Sequence, residues 1–284
     1  MKDLKILTFD IEDWFHLLNN PFTENPKNWK NFESRIHLNM EKIFHLLSST
    51  NTKATFFCLG WIAEKYPEII KEISKRGFDI GTHSYYHQLT YKLDRRTFKE
   101  DIYKSISILE DLTGKKVVSF RAPSFSITNE SLWAYEILYD LGIRIDSSIF
   151  PANRSFGGVQ NFKHSDPFLI NINGDFIKEF PISKATFFSK DIIYSGGGYF
   201  RIFPYKLTKY FSQQKYVMSY FHPRDFDYEQ PMIKNLSMMN KFKSYVGLKS
   251  CFKKLNHWVT DFDFIDLNEA EKNIDWKKVN QHTI

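Results

Sequence analysis

Residues 78–87 read Phe-Asp-Ile-Gly-Thr-His-Ser-Tyr-Tyr-His, and this stretch decides the fold class. Its first four residues predict a short buried strand, and two histidines, His83 and His87, follow it four residues apart. A spacing of i, i+4 predicts that both imidazoles lie on one face of a helical turn. Two imidazoles on one face can hold one divalent metal ion. Metal-binding side chains directly after a strand are typical of α/β enzymes.

The chain around this stretch alternates apolar strands with amphipathic helices. The strands are predicted at residues 4–9, 54–59, 78–81, 117–120 and 143–145, and the helices between them at residues 35–48, 63–76, 97–112 and 129–141. Such alternation indicates successive βαβ units and therefore a parallel sheet. Later elements are less regular, with strands at 168–172, 177–181, 216–221 and 262–265 and helices at 204–213 and 247–260. The pattern predicts an α/β fold, a distorted (β/α) barrel.

The length and composition bound the domain organisation. A chain of 284 residues, 42% of them hydrophobic, can bury a large core. No low-complexity linker divides it, so we predict a single catalytic domain over residues 1–284. An irregular insertion is expected around residues 147–200 and a C-terminal extension of helices and strands at residues 232–284.

Other features narrow the environment of the protein. No apolar run reaches the roughly 18 residues needed to cross a bilayer, and the N-terminus enters a strand without a signal-peptide pattern, so we predict a cytoplasmic protein. Two cysteines, Cys58 and Cys251, form neither a disulfide framework nor a thiolate zinc site. The net charge of +6 comes from scattered lysines. These lysines indicate a solvated surface or, alternatively, attraction to anionic lipid or a phosphate-bearing substrate. No nucleic-acid-binding motif is present.

Charged or imidazole side chains follow five of the predicted strands. They are Asp10, Glu12 and Asp13 after the first strand, His83 and His87 after the third, Arg121 after the fourth, Asp146 after the fifth and His222 after the strand at 216–221. The carboxyl ends of parallel strands in a barrel meet on one face, so these residues predict one site. Two neutral imidazoles and one carboxylate form a three-ligand catalytic metal site with an open position. A second carboxylate can act as general base, a separate histidine as general acid, and an arginine can hold the base ionised.

This set of motifs resembles the NodB-homology polysaccharide deacetylases, carbohydrate esterase family four, over roughly residues 4–225. The matching motifs are Thr8-Phe9-Asp10, His83-Ser84-Tyr85-Tyr86-His87, Arg121-Ala122-Pro123 and Tyr220-Phe221-His222. The resemblance implies a distorted (β/α)7-type barrel. It also implies Asp10 as general base, His222 as general acid, Arg121 as the partner of Asp10, and His83 and His87 as metal ligands.

Further cues resemble the branch of the family found near exopolysaccharide, O-antigen and capsule synthesis genes. They are Phe9-Asp10-Ile11-Glu12-Asp13-Trp14-Phe15, Phe120-Arg121-Ala122-Pro123-Ser124-Phe125-Ser126, Glu179-Phe180-Pro181, Gly196-Gly197-Gly198-Tyr199-Phe200-Arg201 and Phe221-His222-Pro223. The predicted substrate contacts are Trp14, Pro123, Ser124 and Tyr199. For Trp14, packing is an equally good interpretation.

The sequence departs from the family pattern in three places. Ile11 stands where the metal-binding aspartate usually follows the base, so the acidic ligand is Glu12 or Asp13. Ser124 replaces an aromatic residue after the Arg-x-Pro motif, a change that keeps a backbone N–H for an oxyanion. The usual fourth motif is blurred, which leaves Asp146 or Glu179 as candidates to orient His222.

Structural interpretations stand beside these functional ones. Asp10, Glu12 and Asp13 can form a helix N-cap cluster, Arg121 a structural ion pair, and His222 a turn before Pro223. The triplet Gly196-Gly197-Gly198 is typical either of a flexible loop or of one that closes over a sugar. The remaining histidines, including His16, match no motif and are predicted to be surface or packing residues.

We therefore expect a metal-dependent hydrolase that removes the N-acetyl group from an N-acetylated sugar in polysaccharide or glycan-precursor metabolism. The sugar is expected to be nucleotide- or lipid-linked, with peripheral contact between the protein and the inner membrane surface. One divalent ion is implied, zinc by default and otherwise cobalt, nickel or manganese. The alternatives are a cyclic amide hydrolase or O-deacetylase on the same fold, and an inactive carbohydrate-binding protein.

Overall fold

The computed structural model describes residues 3–18, 20–151, 157–158, 165–187, 190–233 and 236–284. The strands are β1 Leu4–Ile6, β2 Thr8–Ile11, β3 Thr55–Cys58, β4 Asp79–Thr82, β5 Ser119–Phe120, β6 Ile145–Asp146, β7 Phe168–Ile172, β8 Asp175–Glu179, β9 Lys184–Phe187, β10 Lys190–Ile193, β11 Tyr216–Met218, β12 Phe264–Ile265 and β13 Gln281–Thr283. The helices are α1 Pro21–Glu24, α2 Ile36–Thr50, α3 Gly60–Lys65, α4 Pro67–Lys75, α5 Arg95–Thr113, α6 Ala134–Asp140, α7 Gly197–Ile202, α8 Tyr205–Phe211, α9 Met238–Tyr245, α10 Leu248–Asp261 and α11 Leu267–Lys272.

The principal sheet has eight strands in the order β13-β7-β8-β6-β5-β4-β3-β2. Its pairs are parallel except for β7 with β8, which form an antiparallel hairpin. A second sheet has the order β11-β1-β12, and all its pairs are parallel. The alternation of helices with parallel strands over the first half of the chain confirms the predicted α/β class.

The two sheets join at Leu7, which separates β1 from β2. The Leu7 amide donates to the Ile265 carbonyl at 3.1 Å, and the Leu7 carbonyl accepts from the Thr55 amide at 3.0 Å. One continuous stretch of chain thus pairs with β12 on one side and leads to β3 on the other. Phe9 also bridges Phe221 beyond the end of β11. The sheets therefore curve around a common core as a barrel.

The opposite side of the barrel closes through side chains. Ser183 Oγ accepts a hydrogen bond from the Met218 amide at 2.6 Å. The Tyr216 hydroxyl donates to the Pro181 carbonyl at 2.7 Å. The contact between β11 and the chain after β8 thus uses side-chain hydrogen bonds, which accounts for the predicted distortion of the barrel.

The predicted helix at residues 63–76 is two helices, α3 and α4, separated at Tyr66. Pro67 has no amide proton to donate within a helix and is tolerated at its first position, so a new helix begins there. Burial of Ile69, Ile70 and Ile73 on one side then holds α4 against the sheet.

The later segments contribute directly to both sheets. From the predicted insertion at 147–200, β7 and β8 join the principal sheet, while residues 152–156, 159–164 and 188–189 lie outside the described residues. From the predicted extension at 232–284, β12 pairs with β1 and β13 pairs with β7. Over the described parts of the chain, no helix is both long enough and apolar enough to span a bilayer.

Candidate metal centre and active site

A buried ion pair joins the ends of two strands. Asp10 lies in β2, and Arg121 directly follows β5; Arg121 Nη1 donates to Asp10 Oδ1 at 2.7 Å. Arg121 is fully buried and also donates to Thr8 Oγ1 at 2.6 Å and to Ser147 Oγ at 2.9 Å. Burial alone raises the pKa of Asp10, but the charge of Arg121, the charge of His222 and the hydrogen bond from Arg121 outweigh it and lower that pKa. Asp10 is therefore an ionised carboxylate, as a general base requires.

The two motif histidines lie in a loop. The predicted helical turn is wrong, because Ser84 and His87 take left-handed backbone conformations, with φ values of 68° and 55°. The His87 amide donates to Ser84 Oγ at 3.1 Å, which holds this loop. The imidazole rings of His83 and His87 nevertheless lie together, with centroids 5.2 Å apart.

The ring of His83 is oriented by a backbone carbonyl. Its Nδ1 lies 2.8 Å from the Arg121 carbonyl oxygen, which can only accept, so Nδ1 carries the proton. Burial lowers the pKa of His83 to about 4, so the ring is neutral and its Nε2 keeps a free lone pair. A backbone hydrogen bond on the second ring nitrogen is the usual support for a metal-binding histidine.

Glu12, and not Asp13, faces the histidines. Glu12 Oε2 lies 3.0 Å from His87 Nε2, and Glu12 Oε1 lies 3.1 Å from His222 Nε2. Asp13 Oδ2 instead accepts from Ser34 Oγ at 2.5 Å and from the Arg35 amide at 3.0 Å, at the start of α2. The helix-capping interpretation is therefore correct for Asp13, and of the two predicted acidic ligands only Glu12 faces the histidines.

The donor set of Glu12, His83 and His87 fits a divalent metal ion. Glu12 Oε2 and His87 Nδ1 are buried and, within the described residues, make no hydrogen bond; the 3.0 Å approach of Glu12 Oε2 to His87 Nε2 does not have hydrogen-bond geometry. Burial raises the pKa of Glu12 to about 8, a cost that a cation beside it would offset. Across the described parts of the chain, no three His, Cys, Asp or Glu side chains are arranged to hold an ion as they stand. The fit of these residues to a metal ion therefore rests on their chemical types and not on a formed coordination geometry.

His222 is oriented by a residue that the sequence did not reveal. His222 Nδ1 donates to Asp225 Oδ2 at 3.0 Å, and Arg201 Nε contacts Asp225 Oδ1 at 3.2 Å. Burial alone lowers the pKa of His222, but the carboxylates of Glu12, Asp225 and Asp10 outweigh it and raise that pKa. His222 is thus charged more readily than a free histidine, as a general acid requires.

Asp146 and Glu179, the predicted partners of His222, lie elsewhere. Asp146 Oδ1 accepts from Ser148 Oγ at 2.7 Å, and Glu179 Oε1 accepts from the Ile149 amide at 3.0 Å. They support the chain beyond β6, so the prediction that either orients His222 is wrong. The available signal for Asp225 was its position three residues after His222 in a turn that begins with Pro223.

A cavity of about 730 Å³ lies beside this cluster, lined in part by Glu12, His87 and His222. Ser124 and Tyr199, two of the predicted substrate contacts, also line it. The other two do not: Pro123 is buried, and Trp14 is 5% exposed, with its Nε1 donating to the Glu33 carbonyl at 2.9 Å. Trp14 packs edge-on against Phe15 and Phe32, so for this residue the packing interpretation is correct.

Two further features concern the glycine triplet and His16. The triplet at 196–198 is not a flexible loop, because Gly197 begins α7 and Gly196 bridges Tyr220. His16, expected to be a surface or packing residue, is buried and packs edge-on against Trp29, and it also lines the cavity with its ring centroid 6.5 Å from that of His87. Its Nδ1 accepts from the Asp13 amide at 2.8 Å, which holds the turn that presents Glu12.

Two segments of the chain match known family models. Residues 22–144 match the model of the polysaccharide deacetylase family. This segment of the chain is similar to the polysaccharide deacetylases. Residues 147–272 match a second model, described as a domain of unknown function, DUF3473. The site draws on both segments, with His83, His87 and Arg121 in the deacetylase segment and His222 and Asp225 in the other.

Individual relatives agree with this assignment. The chain is 40% identical over 96 residues to a peptidoglycan-N-acetylglucosamine deacetylase of Bacillus cereus and 31% identical over 102 residues to a peptidoglycan deacetylase of Helicobacter pylori. These matches cover 34% and 35% of this chain, and the chain spans only about a third, 35%, of either relative.

Solved structures show the same fold. A protein from Mycobacterium smegmatis assigned as a polysaccharide deacetylase superimposes with a TM-score of 0.67 at 16% identity, over 100% of this chain and 94% of that one. A mutant of a CE4 family pseudoenzyme with restored enzymatic activity superimposes with a TM-score of 0.50 at 15% identity, over 99% of this chain and 70% of that one. The predicted deacetylase-like barrel is thereby confirmed.

Proposed function

We propose that this protein is a metal-dependent hydrolase that removes the N-acetyl group from an N-acetylated sugar. One observation carries the proposal: an ionised carboxylate held by arginine, a carboxylate with two neutral histidines, and a histidine held by aspartate converge beside one cavity. The relatives named as peptidoglycan deacetylases support the same reaction class. A catalytic metal site has three protein ligands and an open position, and general acid–base catalysis uses a positioned proton acceptor and a positioned proton donor.

Each residue has a part in the proposed reaction. Glu12, His83 and His87 would hold one divalent ion, zinc first and otherwise cobalt, nickel or manganese. That ion, when bound, would polarise the acetamide carbonyl and lower the pKa of water. Asp10, ionised beside Arg121, accepts the proton of the attacking water, and His222 protonates the leaving nitrogen. The C–N bond breaks, and acetate and a free amino sugar leave.

The proposed substrate is an N-acetylated saccharide attached to a nucleotide or lipid, in the synthesis of a bacterial surface polysaccharide. The cavity volume of about 730 Å³ lies in the range of small-molecule sites, which supports binding of a short saccharide. Tyr199 is 39% exposed at the cavity and could stack on a sugar ring. The cytoplasmic location stays a prediction.

The test compares the wild-type protein with the double variant His83→Ala/His87→Ala. Bound metal and acetate release from N-acetylhexosamine oligomers are measured in parallel. We expect about one metal ion per chain in the wild type and the loss of both metal and acetate release in the variant. The control is His37→Ala/His45→Ala, which removes two exposed histidines of α2 and should change neither quantity.

Three outcomes would overturn the proposal. Unchanged activity of the variant His83→Ala/His87→Ala would rule out the proposed mechanism. Metal binding without acetate release from any N-acetylated sugar would favour the alternatives, which product analysis separates by a ring-opened acid or a free hydroxyl. Tight sugar binding with no metal, even after zinc is added, would identify a carbohydrate-binding protein.

A further inference from the structure

Helix α9 exposes an apolar surface to solvent. Met238 is 90% exposed, Met239 61% and Phe242 55%, and no residue of this helix is buried in the described structure. Large exposed apolar side chains that lie together are unusual on a soluble protein and indicate an interaction surface. We call α9 with its exposed methionines and phenylalanine the docking helix.

The docking helix is nevertheless attached firmly at its C-terminal end. Arg201 Nη1 donates to the Ser244 carbonyl and Arg201 Nη2 to the Lys243 carbonyl, both at 2.8 Å. The Tyr245 hydroxyl accepts from the Ile233 amide at 2.8 Å. The arginine is buried and also contacts Asp225, the partner of His222. The exposed apolar side chains are therefore held in a defined position beside the candidate active site.

The charge around the docking helix is positive. Between residues 230 and 260 the sequence has six lysines and neither aspartate nor glutamate. Lys241 and Lys243, on either side of Phe242, and Lys249 at the start of α10 are all exposed. Apolar side chains interspersed with lysines are typical of helices that lie in the interface of an anionic bilayer. This combination favours a lipid surface over an acidic protein, which the lysines alone would also attract.

The docking helix also forms part of the cavity wall. Met239, Phe242 and Lys243 line the same cavity as His87 and His222. A bilayer in contact with this helix would therefore lie at the edge of the cavity. A sugar carried on a membrane lipid could enter the cavity there while its lipid stays in the bilayer.

We infer that α9 docks on an anionic lipid bilayer and that the acetylated sugar is carried by a lipid in that bilayer. Met238, Met239 and Phe242 enter the interfacial layer, and the lysines contact the lipid headgroups. The identity of the substrate carrier rests on the proposed deacetylase function, whereas the docking itself does not.

Vesicle flotation tests the docking. The full chain is mixed with vesicles of phosphatidylcholine alone or of equal parts phosphatidylcholine and phosphatidylglycerol. Two variants alter the docking helix and its surroundings, Met238→Glu and Lys241→Glu/Lys249→Glu. Their matched controls are Tyr103→Glu, which alters an exposed aromatic residue of α5, and Lys71→Glu/Lys99→Glu, which gives the same net charge.

We expect the wild type and both controls to float with anionic vesicles and not with phosphatidylcholine alone. The partition coefficient of each docking variant should fall at least about tenfold, because each lysine near an anionic surface contributes to binding. Absence of flotation, or an equal loss in the controls, would overturn the inference.

Acetate release then separates the docking from the proposed function. N-acetylglucosaminyl lipid in the anionic vesicles is compared with soluble N-acetylglucosamine oligomers. We expect the wild type to prefer the vesicle-borne sugar, and the docking variants to lose that preference while they keep their rate on the soluble sugar. Equal rates of acetate release by the wild type from the vesicle-borne and the soluble sugar would overturn the inference that the substrate is carried by a lipid. Flotation without acetate release from either substrate would overturn the proposed deacetylase function, while the inferred docking of α9 on an anionic bilayer would stand.

Discussion

At the scale of single residues, the position of His222 depends on Asp225. The Asp225 carboxylate accepts from both the ring Nδ1 and the backbone amide of His222, at 3.0 and 2.9 Å. Because this charge supports the protonated imidazole, Asp225→Asn should lower the kcat of acetate release at least about tenfold and leave KM near the wild-type value. Steady-state kinetics with a soluble N-acetylated sugar, and metal content in parallel, check this expectation.

Asp227→Asn provides the matched control for Asp225→Asn. Asp227 lies two residues further along and contacts Arg35 and Asn39 of the N-terminal region instead of His222. We expect its kcat to stay within about twofold of the wild type. An equal loss of kcat in both variants would show that the turn as a whole, and not the carboxylate beside His222, sets the activity.

A second residue-scale prediction concerns the pH dependence of stability. Asp79 in β4 accepts from Thr55 Oγ1 at 2.7 Å and from Asn268 Nδ2 at 2.5 Å. Burial raises its pKa to about 6, and the charge of Asp266 adds to this. The folded protein therefore binds the proton more tightly than the unfolded chain. Ionisation of Asp79 costs stability as the pH rises from about 4 through 6, and the full cost remains above that range.

Asp79→Asn keeps the polar contacts and removes this ionisation. We expect the variant to gain about 2 kcal/mol of unfolding free energy relative to the wild type between pH 4 and pH 7, with most of the gain by about pH 6.5. Urea unfolding at several pH values measures the difference. A constant difference across this range would contradict the raised pKa.

At the scale of elements, the entry into α7 requires a close backbone approach. A Cβ added at Gly196 would lie 2.1 Å from the Tyr220 carbonyl oxygen, whereas one added at Gly198 would meet nothing closer than 3.4 Å. The junction between α7 and the strand that carries His222 therefore permits only glycine at position 196.

The two glycines make a matched pair of variants. Gly196→Ala should lower the unfolding free energy by roughly 1–3 kcal/mol, because either α7 or the chain at Tyr220 must shift. Gly198→Ala should be neutral or stabilising by up to about 1 kcal/mol, since alanine favours the helix. Urea unfolding compares them. An equal effect of both would show that the triplet matters only through helix propensity.

At the scale of the whole molecule, a bound metal ion should stabilise the fold. The proposed ligands come from chain segments that follow two different strands, so an ion that binds only the folded protein adds to its stability. Zinc at about a hundred times its Kd contributes about 2.7 kcal/mol, which should raise the Tm by about 5 °C or more. Thermal unfolding of His83→Ala/His87→Ala should show no such shift, and His37→Ala/His45→Ala should retain it. An unchanged Tm in the wild type would contradict the metal site.

The sequence by itself determined the class of fold and the residue types of the site. Strand and helix periodicities are local, so the alternation that leads to Asp10, His83, Arg121 and His222 could be predicted without coordinates. The common carboxyl end of parallel strands then implied that these side chains meet. The types of these residues indicate the proposed chemistry. The four motifs that contain them, taken together and in order, make that prediction specific.

Only the tertiary structure decided which neighbouring side chains complete the site. Glu12 and Asp13 are adjacent in sequence, but their side chains have different partners. Asp13 accepts hydrogen bonds at the start of α2, whereas Glu12 faces the histidines. The partner of His222 is Asp225, and not Asp146 or Glu179, because the short turn that begins at Pro223 places the Asp225 carboxylate beside the imidazole ring. These outcomes depend on contacts through space and on backbone conformation, and neither has a periodic signal in the sequence.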